Sequence, residues 1–411
     1  MKYAYVHFAF LALSILNLNM SLNAQEITIQ GIHYATHEAV SVVVENGKIS
    51  KILPLSKKEG QNLPWIAPGL IDNQVNGYNG VSFAFGGSDL SEQDVIKASR
   101  AMWKNGVTTY LPTLTTNDNA LLTKNLKILA KAKNRPELYG AIPGFHLEGP
   151  YISPIDGFRG AHPKQHVRKV DWEEFMGLYR ASDKNILTVT LAPEIAGAMD
   201  FIQKCSTMGI VIALGHHNAS KAQIDSAARL GAKICTHLGN GCANMINRHE
   251  NPLWPQLANE GLAVSIICDG FHLREEEIQV FYAVKKSDKT ILTSDITSFA
   301  GLPPGQYLNE DGHTIELLES GLLRYPEQNV LYGSATPINR GVVHIMNVTG
   351  CSLAEAIKMG SSNPAQLYKL NDRGALKPGK RADLILFRLG KDRLEILSTY
   401  LKGNLVYGAK I

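Results

Sequence analysis

Eight short apolar runs, most of them followed by a stretch of helical character, constrain this chain more than anything else in it. They cover residues 66–72, 108–113, 141–147, 187–191, 210–214, 233–236, 263–268 and 290–294. Near-continuous apolar strands that alternate with helices argue a parallel sheet covered on both faces. Four of these runs end on groups that bind metals or move protons. Gly144-Phe145-His146-Leu147-Glu148-Gly149-Pro150 ends on Glu148, Ala213-Leu214-Gly215-His216-His217 on His216, Ile234-Cys235-Thr236-His237 on His237, and Ile291-Leu292-Thr293-Ser294-Asp295 on Asp295. Eight βα units with chemistry at the C-terminal ends of the strands argue an α/β fold, a (β/α)8 TIM-like barrel. An open doubly wound sheet is the alternative, but it would not readily bring residues from four strands to one point.

A buried strand ending in Glu148, with His146 two positions earlier and His162 in the following loop, has polar groups it cannot leave unpaired. Taken singly, each residue has a plain explanation. Glu148 would pair with a basic side chain, and His216 and His237 would be satisfied core histidines. Asp295 would cap a helix, and His162 would sit on a surface loop. Four such groups at the ends of four strands are hard to produce by packing needs alone. Glu148, His216 and His237 together make a three-ligand set that leaves a position for water, the composition of a catalytic zinc site. Such a metal lowers the pKa of its water to roughly 7 and polarises a carbonyl. Asp295 is then the natural base and proton donor to a leaving amine. His162 would donate a hydrogen bond to the substrate carbonyl or to the oxyanion as it forms.

The two ends of the chain differ from its middle. Residues 26–64 hold short strand-like runs with an Asn46-Gly47 hairpin turn, and the runs 382–387, 394–397 and 406–408 repeat the style. The expectation is one small β-sandwich domain from 25–65 and 377–411, flanking a catalytic barrel from 66–376. Residues 1–24 resemble a secretory signal peptide, with Lys2 before an almost wholly apolar stretch at 8–16 and a small residue, Ala24, before the cut. That run is too short for a comfortable membrane span. The chain is therefore expected to be exported, with the periplasm as its home, or cytoplasmic if the leader is not functional. The five cysteines (Cys205, Cys235, Cys242, Cys268 and Cys351) show no CxxC spacing, and Cys235 and Cys268, inside apolar strand-like runs, read as buried thiols, not as disulfides or ligands. A net charge of +4 over 411 residues points to neither nucleic acid nor a membrane surface.

These residues carry a resemblance. Ile66-Ala67-Pro68-Gly69-Leu70-Ile71-Asp72 looks like the first-strand motif of the amidohydrolase superfamily. His146-Leu147-Glu148-Gly149-Pro150 with Gly160-Ala161-His162-Pro163 is similar to the motif of the N-acetylglucosamine-6-phosphate deacetylase family. So are Gly215-His216-His217-Asn218-Ala219-Ser220, Thr236-His237-Leu238-Gly239-Asn240, Cys268-Asp269-Gly270-Phe271-His272 and Thr293-Ser294-Asp295, in that order. The resemblance spans nearly the whole chain after residue 25. It implies a deacetylase of N-acetylhexosamine 6-phosphates, N-acetylglucosamine 6-phosphate first among them, with the metal on Glu148, His216 and His237 and Asp295 as general base. It further implies that Ala161, His162, Asn240, Gly241 and the loop Leu331-Tyr332-Gly333 touch the sugar. His272 and Arg248 would hold the phosphate, with Arg248 reaching across a homodimer interface.

Two positions depart from the family's usual pattern. Gln74-Val75-Asn76 stands where many amidohydrolases carry a metal-binding His-x-His, so a single divalent ion is expected, with Gln74 and Asn76 on the substrate side. Zinc is the first choice, and iron(II), cobalt and manganese also suit two imidazoles and a carboxylate. Asn240-Gly241-Cys242-Ala243-Asn244-Met245 replaces the usual Asn-Ala-Met. The leader sets up a conflict of its own, because an exported enzyme would meet unphosphorylated N-acetyl sugars. The phosphate residues are weighted above the leader. Deacetylation of unphosphorylated sugars, hydrolysis of another N-acyl amide and a non-catalytic sugar-binding role are the competing readings.

Overall fold

The computed structural model describes residues 26–56, 59–84, 90–309 and 312–410; the expected leader lies outside them. Eight parallel strands form the central sheet: β1 (Leu70–Val75), β2 (Val107–Thr115), β3 (Phe145–Glu148), β4 (Ile186–Leu191), β5 (Val211–Leu214), β6 (Ala232–Cys235), β7 (Ala263–Ile267) and β8 (Thr290–Thr293). They are hydrogen-bonded in chain order from β1 to β8. The ring closes just beyond β8, where Ile296 bridges Val75 in parallel and its carbonyl accepts the Asn76 N–H at 2.8 Å. Asp72 reinforces this seam. Its carboxylate accepts the Thr293 hydroxyl and the Ser294 N–H, each at 3.1 Å, and the Ser294 hydroxyl. The fold is thus a (β/α)8 barrel, with a helix after each strand from Glu92–Trp103 to Ile338–Thr349. Ser91 and Ser220 start two of these helices with capping boxes. No helix among the described residues is long and apolar enough to cross a membrane.

The run at 66–72, expected as one barrel strand, is two strands in two sheets. Trp65–Pro68 pairs with Ile27–His33 and Leu384–Leu389, whereas Leu70–Val75 pairs with β2. Gly69 is the crossing point, because a Cβ there would lie 2.2 Å from the Thr108 side chain. The chain is apolar on both sides of that glycine, so hydropathy does not mark the break.

The chain ends build one seven-stranded sheet. Its order is Asn404–Gly408, Leu394–Leu401, Leu384–Leu389, Trp65–Pro68, Ile27–His33, Ala39–Glu45 and Lys48–Pro54. It curls on itself: Ile49 N–H donates to the Lys380 carbonyl at 2.8 Å and Lys48 bridges Arg381. Ile29, Val42, Val44, Ile49, Leu384 and Tyr400 fill the space inside. The hairpin at Asn46-Gly47 has both residues at positive φ, 52° and 73°, as a type I′ turn requires.

A third unit lies between β8 and the last barrel helix. It is an antiparallel sheet of Gly305–Leu308, Thr314–Leu317, Leu323–Tyr325 and Val330–Leu331, packed around Phe299, Ile315, Tyr325 and Tyr332. Its strands are only two to four residues long, too short for alternation to mark them in the sequence. Its last strand delivers Leu331, Tyr332 and Gly333 to the C-terminal face of the barrel.

Phe145 opens β3 and is fully buried. Phe145→Ala is expected to cost about 3–5 kcal/mol of stability by leaving a cavity on the face of β3 opposite Glu148. Chemical denaturation monitored by circular dichroism reads that change.

Candidate active site

Glu148 is the last residue of β3. His216, His237 and Asp295 each lie two residues beyond β5, β6 and β8. These three share a feature that propensity alone does not favour: their φ angles are 53°, 30° and 51°. A left-handed residue with a side chain costs on the order of 1–3 kcal/mol and persists only where its surroundings over-determine it. Each is pinned through its own backbone. The His216 carbonyl accepts the Ser153 N–H at 2.9 Å, the His237 N–H donates to Ser265 Oγ at 2.8 Å, and the Asp295 carbonyl accepts the Ser334 N–H at 3.1 Å. The strain turns the chain sharply at the mouth of the barrel.

Three ligand-type atoms converge there. His216 Nε2 and His237 Nε2 lie 3.2 and 3.1 Å from Glu148 Oε1 and 3.1 Å from each other. Tetrahedral ligands about 2.0–2.1 Å from a zinc ion stand roughly 3.3 Å apart. His216 Nδ1 donates to the Phe158 carbonyl at 3.1 Å, which leaves the lone pair on Nε2. Acceptor atoms this close repel one another unless something positive sits among them, so the set fits one divalent cation. His162 stands beside it, with a ring nitrogen within 4.8 Å of the Glu148 and His216 ligand atoms and its Nδ1 2.8 Å from Thr116 Oγ1. His146, by contrast, is not part of the set. Its Nε2 contacts Thr190 Oγ1 at 2.7 Å, and Thr190 Oγ1 meets Thr236 Oγ1 at 2.8 Å, forming a polar layer across the barrel interior.

Burial raises the Glu148 carboxyl, but hydrogen bonds and charge from His216 and His237 outweigh it and hold the group well below the usual carboxylate range. Burial lowers His237, and the Glu148 carboxylate outweighs that, so its pKa is raised. Burial and the nearby His216 push His162 down to about 3, which keeps it a neutral imidazole. Burial and the Glu148 charge push Asp295 up to about 6. Two buried carboxyl groups with pKa values driven in opposite directions are the arrangement expected where one holds charge and the other exchanges protons.

The cavity over these groups has a volume of about 430 Å³, within the range of small-molecule sites. Asn76, Ala161, His162, Asn240, Gly241, His272, Leu331, Tyr332 and Gly333 line it, together with Glu148, His216, His237 and Asp295. Gln74 lies behind the wall, and its Nε2 donates to Glu148 Oε1 at 3.0 Å and to Asp295 Oδ1 at 2.9 Å. His272 Nδ1 is paired with Asp269 Oδ2 at 2.7 Å, which leaves Nε2 as its free ring nitrogen. Arg248 is not brought to the cavity of its own chain. It is exposed on the loop before Leu253, where its carbonyl accepts the Trp254 indole N–H at 2.9 Å. A spacing of eleven residues from His237 fixes how far that loop can reach but not which way it turns. Among the described residues, no Lys or Arg lines the cavity, whereas Glu277 does. Thr115, Cys242, Asn244 and Thr297 are further lining residues not singled out from sequence. Thr115, at the end of β2, follows from the same strand-end rule that found Glu148.

The sequence profile of the amidohydrolase family matches residues 65–406. The N-acetylglucosamine-6-phosphate deacetylase of Bos taurus is 32% identical over 83% of this chain and 83% of its own length. That of Bacillus subtilis is 29% identical over 94% of this chain and 98% of its own. The crystal structure of the Thermotoga maritima N-acetylglucosamine-6-phosphate deacetylase superposes with a TM-score of 0.81 at 26% identity, covering 94% of this chain and 100% of that one.

Gly241 has φ 59°, and a Cβ on it would stand 2.8 Å from His216 Nδ1. Gly241→Ala is therefore expected to displace that imidazole and weaken metal binding by at least about tenfold. Metal content after dialysis against a graded chelator series measures it, and retention equal to the parent would contradict the assignment of His216.

Proposed function

The chain belongs to the amidohydrolase family, among the N-acetylglucosamine-6-phosphate deacetylases, and we propose that it hydrolyses the acetamide of N-acetylglucosamine 6-phosphate to glucosamine 6-phosphate and acetate. The observation that carries this reading is the meeting of Glu148, His216, His237 and Asp295 at the floor of one cavity. Glu148, His216 and His237 would hold one divalent ion, with zinc the first candidate. Once bound, the ion supplies an acidified water and a polarised acetyl carbonyl. Asp295 takes a proton from the attacking water and later gives it to the leaving amine nitrogen. His162, neutral in its buried setting, donates an N–H to the acetyl oxygen as negative charge grows there. Asn240, Gly241 and the segment Leu331-Tyr332-Gly333 bound the space for the sugar ring. His272 is the group of this chain suited to the phosphate, and Arg248 would add its guanidinium from a second copy in a homodimer. The leader at 1–24 would export the protein.

A second reading has a specific observation in its favour. A cavity lined by Glu148, Glu277 and Asp295, with no Lys or Arg among the described residues, suits an uncharged N-acetylhexosamine better than a phosphate dianion until a second chain contributes charge. Acetate release from N-acetylglucosamine with and without its 6-phosphate separates the two. Release from the phosphate ester alone supports the first reading, and release chiefly from the free sugar supports the second.

Asp295→Asn is expected to lower kcat by about 10²–10⁴-fold with bound metal unchanged. Unchanged turnover would remove Asp295 from the mechanism. Chelation is expected to abolish activity, and added zinc to restore it; a chelated enzyme that still releases acetate would rule out the metal's role.

A further inference from the structure

Three polar side chains of one strand reach across the barrel seam to the same short segment. Asp72, Gln74 and Asn76 stand at every second position of β1 and its first following residue, and all three side chains meet residues 293–295. Asp72 accepts from Thr293 Oγ1 and from the Ser294 N–H and hydroxyl, and also takes the Gln74 N–H at 3.4 Å. Gln74 Nε2 spans two carboxylates, Glu148 Oε1 at 3.0 Å and Asp295 Oδ1 at 2.9 Å. An amide NH2 has two hydrogens, so each acceptor receives one and none is left for a ligand. Asn76 Nδ2 donates to Asp295 Oδ1 at 2.7 Å and lies 3.4 Å from the Asp295 carbonyl. All three donors or acceptors are buried.

The consequence for Asp295 is asymmetric. Its Oδ1 accepts two amide N–H groups, while among the described residues no hydrogen bond reaches Oδ2. The backbone of Gly333, a residue that lines the cavity, passes beside Oδ2: a Cβ on it would be 4.0 Å away. With the amides reversed, their oxygens would face carboxylate oxygens, so the network fixes the orientation of both.

We propose that Gln74 and Asn76 are positioning residues that clamp Asp295 through Oδ1, with Asp72 holding the preceding Thr293 and Ser294, and leave Oδ2 as the atom that accepts and returns the proton. The clamp also carries positive amide hydrogens between Glu148 and Asp295, where their charges would otherwise drive the base away. The water O–H bond breaks as the Oδ2–H bond forms, and that proton then passes to the amine as the C–N bond breaks. This assigns the amide hydrogens of the Gln-x-Asn pair to the base, and it rests on the reading of Asp295 as the proton-transfer group.

The test compares Gln74→Leu and Asn76→Ala with the parent, each as the full mature chain loaded with zinc. The expected result is a fall in kcat of about 100-fold, as a misplaced catalytic group produces. KM stays within about twofold, and the metal remains at one per chain. A rise in KM with kcat kept would return the two amides to substrate binding and overturn the proposal. A fall in kcat that follows loss of metal would overturn it as well. Crystal structures of the two variants without substrate decide the placement independently of turnover. The Asp295 carboxylate is expected to rotate out of its parent position, and an unmoved carboxylate in both would overturn the clamp. If the parent releases no acetate from either sugar, the deacetylase reading fails, while the crystal comparison still decides whether these side chains hold Asp295.

Discussion

The structure turns on a concentration of electron-rich atoms in a place with little water to screen them. Glu148, His216, His237 and Asp295 are all buried, and their acceptor atoms stand within hydrogen-bonding distance of one another or of a shared amide. In a low effective dielectric, such a set is stable only with positive charge placed among its members. The chain provides some of it from Gln74 and Asn76, whose amide hydrogens face the carboxylates. In the proposed reading, the remainder would come from a cation held by two imidazoles and one carboxylate. The proposed metal site and base would then be neighbours, joined by the Gln74 amide between Glu148 and Asp295.

The barrel makes this gathering affordable in conformational terms. Three of the four residues sit at positive φ, where the chain would not go unaided. Each is anchored by a backbone hydrogen bond to a neighbouring strand or loop, and the strands beneath are packed with fully buried side chains such as Phe145, Leu147, Leu214 and Leu292. The polar layer of His146, Thr190 and Thr236 lies inside the barrel, on the face of the strands away from that packing. Burial pushes His146 down to about 4, so it stays neutral and adds no charge below the metal ligands.

Much of this is legible in the sequence because the features involved are local. A strand's apolar run and the residue that ends it are adjacent, so eight runs and four terminal groups suffice for the barrel and for the contents of its mouth. Gly69 hid a strand boundary because the residues on both sides of it are buried for different reasons, in different sheets. The four-stranded sheet after β8 escaped notice because strands such as Gly305–Leu308 are mostly exposed and lack alternation. Gln74 was harder still. Its role depends on Glu148 and Asp295, which are 74 and 221 positions away in the chain, and only the closed barrel brings them within reach.

Arg248 shows the converse limit, and it bears on how a substrate would be read. The cavity of one chain offers a complete reacting end and an incomplete charged end. His272, oriented by Asp269, is a group away from the proposed metal ligands that is suited to a phosphate, and Glu277 lines the same cavity. The guanidinium that the family resemblance assigns to the phosphate stands instead on an exposed loop with Met245 and Trp254, both large apolar side chains open to solvent. In the proposed reading, one chain brings the reacting groups and His272 to the cavity, and among the described residues no Lys or Arg joins them. In the proposed homodimer, discrimination between phosphorylated and free sugar would come from a residue that the cleaving chain does not place in its own cavity. Catalysis and substrate choice would then respond to different perturbations: one to the barrel seam at β1 and β8, the other to the contact between copies.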